Sequence, residues 1–410
     1  MSNSSLTRTL TAAGLFSLGG VFGVFVVQHN SPDHADVISA VSARQADYVV
    51  HISVDALHAG AVAAWGPKEV PNFWRFRTEG AWTDNARTDF STTVTSPSHA
   101  TILTGRPVHN WPRYAGHLWG ENSASDPVAY WRLTLHQPHI VGQYYNGHQW
   151  TAQPSKTTYQ YVSSTFDVVH DAGLKTGLFS GKARLFLEKF SVDAAHSDNG
   201  TNKVDVAQIP AEGPSGPGIL VDAWAREMAT TRPIVYSFFN LSYTDETVHA
   251  TGCNLTPNNN SGTYMFAVKV VDGALGRIFR VIAGDSRFAG RTAIILTADH
   301  GCRPGTTEHG KVDDVNDYTV PFYVWGPGAK HGANLYSLNP QYQDPGTSRV
   351  DYSRFVQPIR NGDGANLAMA FLGLTSIPGS SMNRDQTLTA GDGGVTRWTS
   401  SWKRYLLHQE

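Results

Sequence analysis

The chain has 410 residues with 32 basic and 34 acidic side chains, a formal net charge of −2. An apolar content of 40% with 11% aromatics excludes a disordered chain, and a near-neutral balance without a long basic run excludes a basic face for nucleic-acid duplexes. Two cysteines exclude a disulfide-dense scaffold, whereas 17 histidines direct attention to metal or acid–base chemistry.

The first feature along the chain is Ala12 to Val27, an uncharged apolar run preceded by Arg8 and followed by polar QHNSPDH. A charged start, apolar middle and polar exit describe a secretory signal peptide. An uncleaved signal anchor and a buried helix are the alternatives. The run is shorter than the roughly 20 residues a membrane span needs, and its glycines disfavour a packed helix. The nearest small-x-small cleavage pattern, Val41-Ser42-Ala43, is distant. We therefore divide the chain into a leader and polar linker (1–45), a folded domain (46–385) and a tail (386–410). This implies a secreted or otherwise extracytoplasmic protein, or one anchored by its N-terminus.

Tyr48 to Asp55 (YVVHISVD) reads as a short buried parallel strand ending in a carboxylate. Pro71 to Gly80 reads as a helix with a glycine stop. Ser98 to Thr104 is a further helix. Thr165 to Ala172 is a helix capped by Gly173, followed by a strand at Lys175 to Ser180. Ala223 to Thr230 is a helix and Ile234 to Asn240 a strand. Tyr264 to Ala283 is the longest helix. Thr292 to Thr297 is a strand running into Asp299, Val320 to Trp325 a strand closed by Gly326-Pro327-Gly328, and Asn366 to Leu372 a late helix. Strands alternating with helices predict a three-layer α/β/α sandwich on a mostly parallel sheet. Two stretches break the alternation. Residues 106–160, rich in Trp, Tyr and His, and 191–218, rich in Pro, Gly, Asp and Asn, read as loops or a small cap.

Metal-ligand residue types stand at the ends of these strands. They are Asp55, then Asp245 and His249, then Asp299 and His300, then His309. Asp-x-x-x-His places two side chains on one face of a helix or turn. Imidazole with carboxylate suits zinc, or another divalent transition metal, better than calcium or magnesium. Singly, each is also a common cap or turn. Together, each after an apolar strand, they describe a site at the C-terminal edge of a sheet, where open α/β folds place ligands.

Here the sequence resembles the alkaline phosphatase superfamily, and within it the type I phosphodiesterase/nucleotide pyrophosphatase family, over about Asp47 to Met382. The likeness is carried by Pro71-Asn72-Phe73 with Thr83-Asp84-Asn85, by Thr95-Ser96-Pro97-Ser98-His99 ending in Thr104-Gly105, by Asp245 to His249, by Asp299-His300-Gly301, by His309-Gly310, and by Val320-Pro321-Phe322. The resemblance implies an alkaline-phosphatase-like fold and a two-zinc phosphoesterase acting on a small-molecule phosphate ester. Asp245, His249 and His309 would hold one zinc, and Asp55, Asp299 and His300 the other. Thr95 would touch the second metal and act as nucleophile through a phosphothreonine intermediate. An asparagine downstream of the nucleophile would hold a phosphoryl oxygen. Asn122 keeps the family interval from His117, and Asn110 is the rival. Lys182, after a strand, would be a basic group near substrate, with Arg106 and Arg113 as further phosphate contacts. Trp111, Trp119, Trp131 and Trp150 would stack on substrate or pack the cap. If the ligand loops lie together, Cys253 and Cys302 are placed to form a disulfide between them.

The branch rests on the nucleophile. Sulfatases carry Cys or Ser where Thr95 stands and Arg where His99 stands. Only nine residues separate His300 from His309, where nucleotide pyrophosphatases usually carry a large insertion, so nucleotide specificity does not transfer. Alternatives on the same scaffold are a phosphomonoesterase, a phosphonate hydrolase, a sulfatase-like enzyme, or a binding protein without catalysis.

Overall fold

The computed structural model describes residues 44–107, 163–183, 185 and 203–391, together with the backbone of 143–146 and 149–152. The leader, Asn110, Asn122, Arg113, Trp111, Trp119, Trp131 and most of the tail lie outside the described residues.

The first strand, β1 (Tyr48–Val54), is apolar on both faces and almost wholly buried, as a central parallel strand must be. After the short α1 (Ala61–Trp65), α2 (Pro71–Glu79) starts with proline in its first turn, where the missing N–H removes no helical bond. Strand β2 (Ala81–Arg87) follows, then α3 (Thr95–Thr104), which ends at Gly105 in the left-handed conformation at φ +63°. A small antiparallel hairpin, β3 (Gln143–Asn146) and β4 (Gln149–Ala152), lies within the stretch expected to form loops or a cap. Helix α4 (Thr165–Asp171) opens with a capping box between Ser164 and Asp167, and β5 (Thr176–Ser180) follows.

Several boundaries differ from the sequence reading, among them the start of α3, at Thr95 rather than Ser98. Val206–Gln208 forms β6, a parallel edge strand on β5, inside the stretch read as loop. Helix α5 (Gly216–Met228) begins seven residues before the expected Ala223. Gly216-Pro217-Gly218 reads as loop because both residue types break helix interiors. At a helix start, however, proline is tolerated, and a side chain at 216 would overlap the Ala211 carbonyl.

Next come β7 (Tyr236–Leu241), α6 (Tyr243–Thr251), α7 (Tyr264–Ala283), β8 (Thr292–Thr297), α8 (Val315–Tyr318), β9 (Thr319–Trp325), β10 (Ala333–Asn334), α9 (Leu335–Leu338) and α10 (Asp363–Phe371). Helix α7 and strand β8 span the predicted residues. Thr263 caps α7 by accepting from the Phe266 N–H.

The eight-stranded sheet runs β10-β2-β9-β8-β1-β7-β5-β6. Only β9 opposes its neighbours, so the sheet is mostly parallel. Helix α7 packs with α1, α2, α5 and α6 on one face, while α10 packs with α3 and α4 and against β1 and β8 on the other. Ser53 of β1 stands level with Asn240 of β7 and Thr297 of β8. The residues just past these three strand ends are therefore brought to one edge.

Candidate active site

Three segments leave that edge and carry the candidate ligands. After β1, Asp55 is fully buried and the chain turns through Ala56 at φ 57°, a backbone conformation non-glycine residues seldom adopt. The turn is held on both sides. The Ala56 N–H donates to Asp299 Oδ1 at 3.1 Å, and the Tyr264 hydroxyl donates to the Ala56 carbonyl at 3.0 Å. After β8, Asp299 Oδ1 also accepts from the His300 N–H at 2.9 Å. Asn361 Nδ2 donates to the Ala298 carbonyl at 3.1 Å and to that of Asp299 at 3.3 Å. Gly301 follows because any side chain there would overlap the Asn316 carbonyl. After β7, α6 presents Asp245 and His249 one turn apart, and the loop beyond His300 returns His309 to them.

Among the described residues, ligand atoms of Asp55, Asp299 and His300 lie within 4.8 Å of one another, as do those of Asp245, His300 and His309. His249 joins the second set. Its Nε2 is 3.5 Å from Asp245 Oδ1 and 3.2 Å from His309 Nε2, which is itself 3.2 Å from Asp245 Oδ1. In the first set, His300 Nε2 lies 3.6 Å from Asp55 Oδ1 and 3.3 Å from Asp299 Oδ2. The His300 and His309 rings stack at 3.9 Å, so the two sets adjoin.

The free lone pairs point to a cation. Asp55 Oδ1, Asp245 Oδ1, Asp299 Oδ2 and His300 Nε2 are all buried without a hydrogen-bond partner. Native proteins rarely leave such atoms unsatisfied. Each residue's other polar atom is engaged. Asp55 Oδ2 accepts from Asn240 at 3.0 Å, Lys182 pairs with Asp245 Oδ2, and His300 Nδ1 lies 2.9 Å from the Gly301 carbonyl, donating its proton and leaving Nε2 as a lone pair. Ligand-atom spacings of 3.2 to 3.6 Å suit the edges of a zinc polyhedron with bonds of about 2.0–2.2 Å. The residues fit the metal that the resemblance implies.

Burial, and then the charges of Asp55 and Asp245, push the Asp299 carboxyl well above its ordinary value. Burial, and then the neighbouring His309, lower His300 to about 3, so its imidazole is neutral. Burial would raise Asp245, but His309, Lys182 and His300 outweigh it and hold the carboxyl well below the usual range.

Thr95 is the first residue of α3 and is buried. His309 Nδ1 is 3.4 Å from the Thr93 carbonyl; His99 Nδ1 is 2.7 Å from the Thr95 carbonyl and 3.5 Å from Asp299 Oδ2. Arg106, at the far end of the helix, donates to the Pro378 carbonyl. Cys253 and Cys302 form a disulfide, and the Cys253 N–H donates to the Thr306 carbonyl at 2.8 Å. The bond joins the end of the His249 helix to the His300 loop. Sequence reasoning passed over Asn240, His99, Tyr264 and Asn361 as site residues. For Asn240 a signal existed: an amide inside the apolar run Tyr-Ser-Phe-Phe-Asn-Leu.

A mostly parallel sheet between two helical layers, with carboxylate and imidazole clusters at the strand ends, defines an alkaline-phosphatase-like α/β fold with candidate metal-binding groups. Residues 49–363 match the model of the type I phosphodiesterase/nucleotide pyrophosphatase family, and the chain belongs to it. Membership places it among the phosphoric-ester hydrolases. Among solved structures, murine ectonucleotide pyrophosphatase/phosphodiesterase 5 superposes at TM-score 0.52 with 12% identity, over 83% of this chain and 100% of its own. An inactive variant of that murine protein in complex with AMP gives TM-score 0.52 and 12% identity over 84% and 100%. An alkaline phosphatase superfamily protein from Vibrio parahaemolyticus gives 0.47 and 14% over 82% and 68%. Among curated proteins, none matches the sequence.

Proposed function

We propose that the protein is a two-zinc phosphodiesterase with Thr95 as nucleophile. The observation that carries this is the seating of residues 93–95 across both ligand sets, with the Thr93 carbonyl beside His309 and Thr95 tied through His99 to Asp299. One metal would be held by Asp245, His249 and His309, the other by Asp55, Asp299 and His300. Bound zinc would lower the pKa of the Thr95 hydroxyl and offset the charge of the reacting phosphoryl group. Thr95 Oγ1 attacks phosphorus, the P–O bond to the departing alcohol breaks in line, and a phosphothreonine forms. Water then attacks that phosphorus and restores the Thr95 hydroxyl. The first N–H groups of α3 have no helical acceptor and favour phosphoryl oxygens.

Among the described residues, the basic side chains favour a diester over a monoester. A monoester dianion calls for an extra cation near the phosphate. Lys182 is instead paired with Asp245 and Arg106 bonds to the Pro378 carbonyl. We place Lys182 as the group that turns Asp245 Oδ1 toward the metal. Asn110 or Asn122 would hold a phosphoryl oxygen. The substrate would be a small-molecule phosphate ester; the murine relative is seen in complex with AMP. The disulfide and the apolar leader support an extracytoplasmic location. No helix among the described residues is long and apolar enough to cross a membrane.

The test is hydrolysis of bis-p-nitrophenyl phosphate and p-nitrophenyl phosphate by the zinc-loaded chain, beside Thr95→Ala. Diester turnover that disappears in the variant supports the reading. A monoester preference moves the protein to the phosphatases. Hydrolysis of neither ester by a zinc-loaded protein sinks it.

A further inference from the structure

We infer that Asn240 is a positioning residue that sets, through one amide, both the ligand oxygen of Asp55 and the tautomer of His99 beneath the nucleophile. The inference rests on the two-zinc reading above.

Asn240 is fully buried near the end of β7, flanked by Ser53 of β1 and Ser180 of β5. Along β7, Phe238 meets the His51 and His99 rings, whereas Trp224 of α5 meets Phe239 and bonds Ser237. Alternation along a strand therefore puts Asn240 on the α3 side with Phe238. Its Nδ2 donates to Asp55 Oδ2 at 3.0 Å and to His99 Nε2 at 3.1 Å, and its Oδ1 accepts from Ser180 Oγ at 3.2 Å. The orientation is forced, because turning the amide over would set two oxygens against each other at the Asp55 contact.

Two consequences follow. An N–H aimed at His99 Nε2 needs a lone pair there, so the ring proton sits on Nδ1. From Nδ1 it donates to the Thr95 carbonyl at 2.7 Å. The other N–H occupies Asp55 Oδ2 and leaves Oδ1, buried and otherwise unpartnered, facing His300 Nε2 at 3.6 Å. One side chain thus fixes which carboxylate oxygen is offered to the metal and how the first residue of α3 is held. Aspartate at this position would oppose Asp55 with like charge and lack both donors. Serine would not span the gap.

The test measures zinc affinity by chelator competition in the wild-type chain, Asn240→Ala and His249→Ala, with His249→Ala identifying the binding step that belongs to the Asp245 set. Outer partners of metal ligands typically change affinity by about 10–100-fold. We expect Asn240→Ala to weaken the Asp55 step by that factor and leave the other unchanged. Equal weakening of both steps, or a lower melting temperature with both affinities intact, would reduce Asn240 to a packing residue and overturn the inference. A wild-type chain that binds no zinc would sink the phosphoesterase reading and this inference with it, whereas two zincs bound normally by Asn240→Ala would sink this inference alone. Nitrogen-15 NMR of histidine-labelled wild-type protein can overturn the inference even if Asn240→Ala fails to fold. A His99 proton on Nδ1 supports the relay, and one on Nε2 overturns it.

Discussion

The two ligand sets share a neighbour but differ in how they are built. Asp55, Asp299 and His300 are fully buried, follow two central strands, and are braced by Ala56, Asn240 and Asn361. In the other set Asp245 is fully buried, yet the His249 side chain is 53% exposed and His309 arrives on a loop. Burial raises the cost of uncompensated charge. The first set therefore keeps Asp299 far above its ordinary pKa, whereas Lys182 and two imidazoles hold Asp245 far below it. Among the described residues, the first set crowds carboxylates with no cationic side chain against Asp299, whereas Asp245 in the second is offset by His309 and Lys182.

This difference can be broken or sharpened. With Thr95 as the proposed nucleophile, Thr95→Ala should lower diester hydrolysis by roughly 10⁴-fold, about 5 kcal/mol of transition-state stabilisation, while zinc content by elemental analysis stays close to wild type. The disulfide ties the two sets together across 49 residues. Closing a loop of that size contributes about 4 kcal/mol in the chain-entropy account, so Cys253→Ser with Cys302→Ser should lower the urea midpoint accordingly. Zinc at a hundred times its dissociation constant adds about 2.7 kcal/mol of folding stability. Chelation should remove that gain from the wild type. His300→Ala should lose most of it even with zinc present, and His249→Ala much less. Equal losses in the two variants would erase the distinction between the sets.

A pH effect concerns the support of the buried set. Asp363, at the start of α10, lies two residues from Asn361 and is pushed up to about 7 by burial. Its native pKa lies above the unfolded value, so its stabilising contribution is complete below about pH 4 and is lost as pH rises to 7. The slope is about 1.4 kcal/mol per pH unit. Asp363→Asn should flatten that slope in urea unfolding across this range. An unchanged slope would mean another group carries it.

Much of this architecture is written locally. An uninterrupted apolar run read as β8, and the amphipathic run from Tyr264 read as α7 to its ends, because burial on one or both faces imposes its period on the chain. Asp55, Asp245 and Asp299 were legible because each closes or follows such a run. The start of α5 was not, since Gly-Pro-Gly has the same composition in a loop and in a first helical turn. Nor was β6, whose three residues become a strand only by pairing with β5.

The sequence by itself determined the alternation of elements and the chemical types standing at the strand ends. The tertiary structure alone decided that Ser53, Asn240 and Thr297 stand level, that His300 adjoins both ligand sets, and that one asparagine serves Asp55 and His99 together. These depend on strand register and on partners separated by 141 and 185 residues. No local pattern encodes such distances, because they are set only when the whole sheet closes its hydrogen bonds and buries its two faces.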